Sequence, residues 1–425
     1  MGDVTIQGGA EPKGTVQAPP SKSATHRHLI LGALSEGAST IRRPLICDDT
    51  AATLESLMRL GAEVKRTRAA IKIAAGGKPP RARELDCRES GTTLRLLAPV
   101  CGTLSGTTTL TGEPSLSRRP VGPLIDALRQ LRVDAESAGG CPPVTVRGEG
   151  RIPGGSATIR GDVSSQFVSA LLVVAPLAEE KTEIEVTTPL ESRPYVRMTM
   201  DAMRLHGVEA QASADMSRFT APQAGYRPAD VEVEGDWSSA APLLAAGALG
   251  GDVEVKGLNS RSSQADTAIL GVLGDMGAKL RVGGYGARAI ESSLSATSLN
   301  LSDCPDLFPI VAALAAAADG VSSLSGLRRL RLKESDRLQA MVQGLGRMGA
   351  GLRLEGERLL IRGGSLKGAE VDPRGDHRIA MAFAALAPVA EGPTVIRDAK
   401  CVSKSYPDFW GDMAKLGVRD VSMHG

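Results

Sequence analysis

Short strings of hydroxyls and cations recur along this chain of 425 residues. They read Ser21-Lys22-Ser23 with Arg27, Ser90-Gly91-Thr92 with Arg95, Arg118-Arg119, Ser164-Ser165-Gln166, Ser192-Arg193-Pro194-Tyr195, Lys333-Glu334-Ser335-Asp336-Arg337, Asp376-His377-Arg378 and Lys404-Ser405. Asp48-Asp49, Asp236 with Ser238-Ser239, and Asp306 stand at comparable points. Ser, Thr or Asp before a helix is ordinarily an N-cap worth about 1 kcal/mol. Lys and Arg in that place oppose the macrodipole, so an N-terminal cation needs a reason. Hydroxyls, backbone amides and guanidinium forks at several helix starts together make a site for anions. No GxxxxGK[ST] P-loop is present, and GGYG at 283–286 lacks the rest of a dinucleotide fingerprint and reads as a turn. No nucleotide cofactor is implied.

The elements that must position these strings repeat. One phrase occurs six times: MRLGAEV at 58–64, LRQLRVDAE at 128–136, MRLHGVEAQ at 203–211, LGDMGAKL at 273–280, LGRMGAGL at 345–352 and MAKLGVRDV at 413–421. Its pivots, Gly61, Arg132, Gly207, Gly277, Gly349 and Gly417, are about 70 residues apart. Each is a helix end, with apolar residues a turn apart and Gly at the left-handed C′ position before a strand. Arg132 in that place predicts a different cap. An Ala/Leu-rich helix also recurs in each unit, at 27–37, 93–106, 167–178, 239–250, 307–320 and 379–392. Leu352, Leu354 and 359–361 alternate as a hairpin around Gly356. Units this long are subdomains rather than solenoid repeats, and 227–235 splits them three and three. The first strand, Val4–Gln7, has no helix of its own and is expected in the second globule, because chain termini often meet. If the helices of each globule run parallel, their N-termini converge on one face. Two such faces opposed would make an electropositive cleft.

Composition narrows the classes. Net charge is +2 and aromatics are 3%, which argues against a nucleic-acid-coating protein. Cys47, Cys87, Cys101, Cys141, Cys304 and Cys401 are scattered, without metal or disulfide spacing, and read as reduced thiols. The His26/His28 pair is weak evidence for a metal. The N-terminus has no signal-peptide pattern, Ile6 breaks a myristoylation signal, and no apolar run can span a bilayer. The expectation is a soluble, cytoplasmic protein.

Ten strings in order carry a resemblance over the whole chain: PSKSATHR (20–27), SGTTLR (90–95), GEPSLSRRP (112–120), DVSSQF (162–167), ESRPY (191–195), EGDWSSAA (234–241), PDLFP (305–309), LKESDRL (332–338), DHRIAM (376–381) and CVSKSYPDF (401–409). The sequence resembles the 5-enolpyruvylshikimate-3-phosphate synthase family of enolpyruvyl transferases. The resemblance implies an α/β (α+β) fold of two globular domains, each of three βαβαββ subdomains in an inside-out barrel-like arrangement, joined by a two-stranded hinge. The first domain would span 20–234 and the second 1–19 with 235–425. It implies transfer of the enolpyruvyl group of phosphoenolpyruvate to shikimate 3-phosphate, by addition and elimination, with release of phosphate. Shikimate 3-phosphate would be held by Lys22, Ser23, Arg27, Ser164, Ser165, Gln166, Ser192, Tyr195, Asp306 and Lys333. Phosphoenolpyruvate would be held by Lys22, Gly91, Arg119, Gln166, Arg337, Arg378 and Lys404. Asp306 would be the base and Glu334 the proton donor to carbon, with Lys22 sharing the proton traffic. The two carboxyls must then be tuned apart. No cofactor, metal, nucleic acid or membrane is implied, and the chain is expected to be a monomer that closes its cleft on shikimate 3-phosphate.

Departures from the family pattern are Glu89, where many members have Asn, and Arg329, where some have an Asn that contacts shikimate 3-phosphate; that contact is not carried over. Trp237 reads as packing. The nearest competing reading is the transferase acting on UDP-N-acetylglucosamine. That family carries a reactive Cys where Pro114 stands and Asn where Ser23 stands. A non-catalytic anion-binding protein is the other, and the presence of Lys22, Asp306, Glu334 and Lys404 speaks against it. An α/β repeat protein that processes nucleic acid is disfavoured by charge and aromatic content.

Overall fold

Strict alternation builds the sheets. The strand Cys141–Glu149 buries Pro142, Val144 and Val146 and turns Pro143 and Arg147 outward, the period-two pattern of a half-buried strand. It pairs antiparallel with Ser105–Thr111 on one side and Asp134–Ala138 on the other, and Ser105–Thr111 runs parallel to Ala82–Asp86. A parallel pair needs a crossover, supplied here by a helix at Gly91–Gly102, and a second helix at Gly122–Gln130 leads to the antiparallel pair. The computed structural model describes residues 2–76, 82–418 and 422–424, and among them this βαβαββ plan occurs in six four-stranded sheets.

The chain divides into two compact units, Pro20–Val233 and Met1–Pro19 with Glu234–Gly425. The first carries helices α1 (Lys22–Ala33), α2 (Asp48–Arg59), α3 (Gly91–Gly102), α4 (Gly122–Gln130), α5 (Ser165–Val174) and α6 (Arg193–Leu205). The second carries α7 (Trp237–Gly250), α8 (Ile269–Asp275), α9 (Phe308–Ala317), α10 (Arg337–Arg347), α11 (His377–Leu386) and α12 (Phe409–Lys415). Three sheets borrow a strand from far along the chain. Asp230–Glu232 pairs parallel with Ser39–Arg42, and Lys13–Gln17 pairs parallel with Asp252–Lys256. Asp3–Ile6, the strand without a helix of its own, lies between Thr394–Ile396 and Ser422–His424.

The two helices of each repeat differ in burial for a sequence reason. α9 reads FPIVAALAAA and is buried over Phe308–Ala316, as expected of a helix apolar on all sides. It packs with α7 and α11, and α3 likewise packs with α1 and α5. α6, by contrast, is amphipathic and buries Val196, Met198, Thr199, Ala202 and Met203. Trp237 is wholly buried and its indole N–H donates to Asn259 O at 2.9 Å, which bears out the packing reading.

One expectation is overturned. Arg132 does not change the cap of its helix; it takes φ +63°, the left-handed conformation that Gly61 takes at +98°. The cap bonds match as well, Arg132 N to Arg129 O (2.9 Å) and Val133 N to Leu128 O (3.0 Å) against Gly61 N to Met58 O (3.0 Å) and Ala62 N to Leu57 O (2.9 Å). The strain of about 1–2 kcal/mol is partly offset where the guanidinium reaches Gly154 O at 3.3 Å and Glu180 at 2.8 Å. The hairpin at Gly356 forms as expected, with Glu355 paired to Arg358, and 283–286 is a turn. The six cysteines are free, and all but Cys141 are buried. Among the described residues no helix is long and apolar enough to cross a membrane.

Candidate active site

In the unit Pro20–Val233 the first turns of the helices touch one another. Lys22, the first residue of α1, donates to Asp49 Oδ2 in the first turn of α2 at 2.7 Å. Thr93 Oγ1, in the first turn of α3, donates to Asp49 O at 3.3 Å. Gln166, in the first turn of α5, donates through Nε2 to Thr92 Oγ1 at 2.9 Å and accepts at Oε1 from Arg95 Nη1 at 2.9 Å. Arg27 donates to Tyr195 O (2.9 Å) and Thr199 Oγ1 (2.8 Å) of α6 and to Ser23 O (2.8 Å) of its own helix. The starts of α1, α2, α3, α5 and α6 thus lie together.

The cations there are unequally compensated. Lys22 opposes the dipole of its helix and is neutralised by Asp49. Arg27 is buried, and among the described residues its partners are carbonyls and a hydroxyl, with no carboxylate. Burial, only partly opposed by Tyr195, pulls its pKa down to about 10. A buried guanidinium without a counterion is a site prepared for an anion. Arg119, also buried, lies over Gly91: a Cβ there would come within 2.9 Å of Arg119 Nη1. Arg119 Nη1 donates to Glu89 O at 3.4 Å, and Glu89 itself accepts from Ser115 Oγ at 2.5 Å. The substituted residue therefore braces the loop through its backbone carbonyl. Ser164 serves as the N-cap of α5, accepting from Gln166 N at 3.3 Å, and Ser165 beside it is buried. Ser192 precedes α6 at φ +57°, a strained conformation for a residue with a Cβ.

The other unit gathers charges of both signs. Asp306 lies in the 3-10 turn Pro305–Leu307 ahead of α9. Its Oδ1 accepts from Arg337 Nη1 at 2.7 Å and Lys333 Nζ at 3.1 Å, and its Oδ2 lies 3.0 Å from Arg378 Nη2. Burial pushes Asp306 up, but Arg378, Lys333 and Arg337 outweigh it and hold the carboxyl well below the usual carboxylate range. Burial in turn lowers Lys333 to about 8. Arg337 also binds Glu334 Oε2 at 2.6 Å and, through Nε, Asp376 Oδ2 at 2.7 Å. Asp376 caps α11 by accepting from Arg378 N at 3.0 Å. Lys404 Nζ donates to Gly375 O at 2.7 Å, one residue before that cap.

The residues singled out from the sequence thus fall into two clusters. Lys22, Ser23, Arg27, Gly91, Arg119, Gln166 and Tyr195 are joined by contacts in one unit, and Asp306, Lys333, Glu334, Arg337 and Arg378 in the other. Arg329 is buried and donates to Ser302 O at 2.8 Å. Several residues that contact these clusters were not given their partners by sequence. Asp49 and Asp376 read as helix-start residues, and their pairing with Lys22 and Arg337 is a tertiary fact. Asp266 was missed outright, although the six-fold repeat demands a polar start to the fourth unit's second helix and Asp266 stands there. Among the described residues no group of His, Cys, Asp and Glu has the geometry of a metal site.

A model of the EPSP synthase (3-phosphoshikimate 1-carboxyvinyltransferase) family matches residues 6–413. The chain belongs to the EPSP synthase family. The 3-phosphoshikimate 1-carboxyvinyltransferase of Methanothermobacter thermautotrophicus is 44% identical over 422 residues, covering 98% of this chain and 99% of that protein. The protein of the same name from Methanocorpusculum labreanum is 43% identical over 409 residues, covering 95% and 96%. An EPSP synthase structure from Acinetobacter baumannii superposes with a TM-score of 0.84 at 26% identity, each chain covered in full. The fold is accordingly the α/β repeat fold of EPSP synthases. The chain is an enzyme, a transferase of the shikimate pathway to aromatic amino acids. Its reaction moves the enolpyruvyl group of phosphoenolpyruvate to the 5-hydroxyl of shikimate 3-phosphate and releases phosphate. Of the two acceptors weighed from Ser23 and Pro114, family membership decides for shikimate 3-phosphate.

Proposed function

We propose that the two clusters divide the work of this one reaction. Arg27, with Ser23, Ser164, Ser165, Gln166, Ser192 and Tyr195, takes shikimate 3-phosphate, and Lys333 and Asp306 meet its reacting hydroxyl. Arg378, Arg337, Lys404, Arg119, Gly91 and Gln166 take the phosphate and carboxylate of phosphoenolpyruvate, with Lys22 serving both substrates. The observation that carries this reading is the contrast between Arg27, buried with no carboxylate partner among the described residues, and Asp306, a carboxylate crowded by three cations.

In the addition step the 5-oxygen attacks C2 of phosphoenolpyruvate, its proton passes to Asp306, and C3 gains a proton from Glu334. In the elimination step C3 returns a proton and the C2–O bond to phosphate breaks. Asp306 is too strongly stabilised as an anion to be a good base while Arg378, Lys333 and Arg337 all face it. Anionic substrates that draw these cations lift the carboxyl toward a useful basicity. Substrate binding thereby switches the base on. The cations and helix N-termini stabilise the charge that develops, and no metal or cofactor is required. The enzyme acts as a cytoplasmic monomer without nucleic acid; its near-neutral charge supports the last of these.

Steady-state kinetics separate the ligand assignments. Arg27→Met should raise KM for shikimate 3-phosphate by about 10–100-fold, the loss of a charge-assisted contact, with a smaller effect on KM for phosphoenolpyruvate. Arg378→Met should do the reverse. Equal effects on both constants in both variants would contradict the division.

A further inference from the structure

Asp266 occupies the 3-10 turn Ala265–Ala268 before α8 and is buried. Its Oδ2 accepts from Ser238 Oγ in the first turn of α7 and lies 3.9 Å from Arg378 Nη1. Its Oδ1 is buried and, among the described residues, has no hydrogen-bond partner. Arg378 meets Asp306 with its other terminal nitrogen, so one guanidinium stands between two carboxylates. At 3.9 Å there is no hydrogen bond to Asp266; Arg378 senses the charge of that carboxyl rather than its shape. An ionised carboxylate with one oxygen out of water and lacking a donor is strongly disfavoured, and a proton relieves it.

The groups facing Asp266 are Arg378 of α11, Lys333 ahead of α10, Asp306 and Cys304 ahead of α9, and Asp236 at the cap of α7. Burial lifts its pKa most, Arg378 opposes, Asp306 and Asp236 lift it further, and Lys333 opposes, to about 7. The carboxyl therefore changes charge near neutral pH, whereas Asp306 on the far side of the same guanidinium stays ionised.

We propose that Asp266 is a positioning residue that acts through Arg378: protonated, it leaves the guanidinium's charge to an anionic ligand, and ionised, it competes with that ligand. Ligand binding at Arg378 then draws one proton from solvent onto Asp266. The inference deepens the reading of Arg378 as a phosphoenolpyruvate ligand and rests on it.

The test compares the full-length enzyme with Asp266→Asn and Arg378→Met between pH 6 and 8.5 at saturating shikimate 3-phosphate. In the parent enzyme KM for phosphoenolpyruvate should rise above pH about 7, by up to about tenfold per pH unit. Asn mimics the neutral acid, so Asp266→Asn should hold a lower KM than the parent at pH 8.5 and a similar one at pH 6, with kcat changed far less. The ligand's own titration is common to both. Parallel profiles for the parent and Asp266→Asn, with Arg378→Met raising KM, would overturn the role of Asp266 alone. An unchanged KM in Arg378→Met would overturn the ligand assignment and this inference together. A second measurement stands if Asp266→Asn does not fold: calorimetric binding of sulfate, which does not titrate in this range, to the parent enzyme at pH 7.5 in two buffers of different ionisation enthalpy. Uptake of a substantial fraction of a proton per site supports the inference, and no uptake overturns it.

Discussion

Arg337 and Asp376 form an ion pair of 2.7 Å in which both side chains are 0% exposed. Asp376 uses its other oxygen to cap α11 at Arg378 N, so one carboxylate fixes the guanidinium of Arg337 and the start of the helix that carries Arg378. Ser335 Oγ adds a donor at 3.2 Å. Breaking a buried pair leaves the surviving charge uncompensated and costs about 3–5 kcal/mol. Asp376→Ala should lower stability by about that amount in urea unfolding, and Asp376→Asn by less, because an amide oxygen can still cap the helix. Equal stability of Asp376→Ala and the parent would contradict the relationship.

Two buried histidines predict how stability depends on pH. His28 Nδ1 lies 3.3 Å from His206 Nε2, and Ser35 Oγ lies 3.4 Å from His206 Nδ1. Burial lowers His28 to about 3 and His206 to about 4, with His206 and Arg27 adding to the depression of His28. Both are neutral in the folded protein, while the unfolded chain takes up protons as pH falls through about 6.5. Their stabilisation is complete above that pH and is lost on acidification toward the folded values. The slope should approach about 1.4 kcal/mol per pH unit for each ring. Urea melts from pH 7 to pH 4.5 should show the fall, and His206→Asn should shallow it. A flat profile in the parent would rule the effect out.

A helix contact makes a third, opposite-signed test. A Cβ on Gly344 of α10 would lie 2.2 Å from Phe383 Cζ of α11. Ala is the better helix former by about 1 kcal/mol, but overpacking costs about 1–3 kcal/mol. Gly344→Ala should therefore lower the Tm, and because α11 is capped by Asp376 and carries Arg378 in its first turn it should also raise KM for phosphoenolpyruvate. A higher Tm would mean that the two helices are free to separate.

The Lys22–Asp49 pair gives a fourth. Asp49→Ala removes the carboxylate that Lys22 binds at 2.7 Å at the start of α1, where the helix dipole opposes a cation. Such a cation binds anions more readily, so inorganic phosphate should inhibit Asp49→Ala more strongly than the parent, by about threefold or more. Equal inhibition would show that Asp49 does not set the charge at Lys22.

Much of this was legible in the sequence, because the repeat writes each helix end in the same way. The pivots at Gly61, Gly207, Gly277, Gly349 and Gly417 all take positive φ. Arg132 defeated that reading: residue type expresses a conformational preference, and tertiary bonds to Gly154 and Glu180 overrode it. Lys22, Arg27 and Arg378 stood out because cations at helix starts oppose the macrodipole, and Asp306 stood out through the family resemblance. Their pairings were not legible. Asp49 and Asp376 look like any acidic helix start, and only the convergence of helices from different repeats gives each its partner. Asp266 looks plainer still, one Asp in SQADTA, and its meaning lies in burial and in the Arg378 side chain from more than 100 residues away.

The most direct measurement is phosphate release from phosphoenolpyruvate by the parent enzyme and by Asp306→Asn, with shikimate 3-phosphate or UDP-N-acetylglucosamine as acceptor. Asn keeps the shape and can still accept from Lys333 and Arg337, so folding checked by circular dichroism should be unchanged. Release should require shikimate 3-phosphate, and kcat should fall by about 10²–10⁴ in the variant, the range of a general base. Release with the nucleotide sugar, or an Asp306→Asn enzyme as fast as the parent, would contradict Asp306 as the base that anionic substrates switch on.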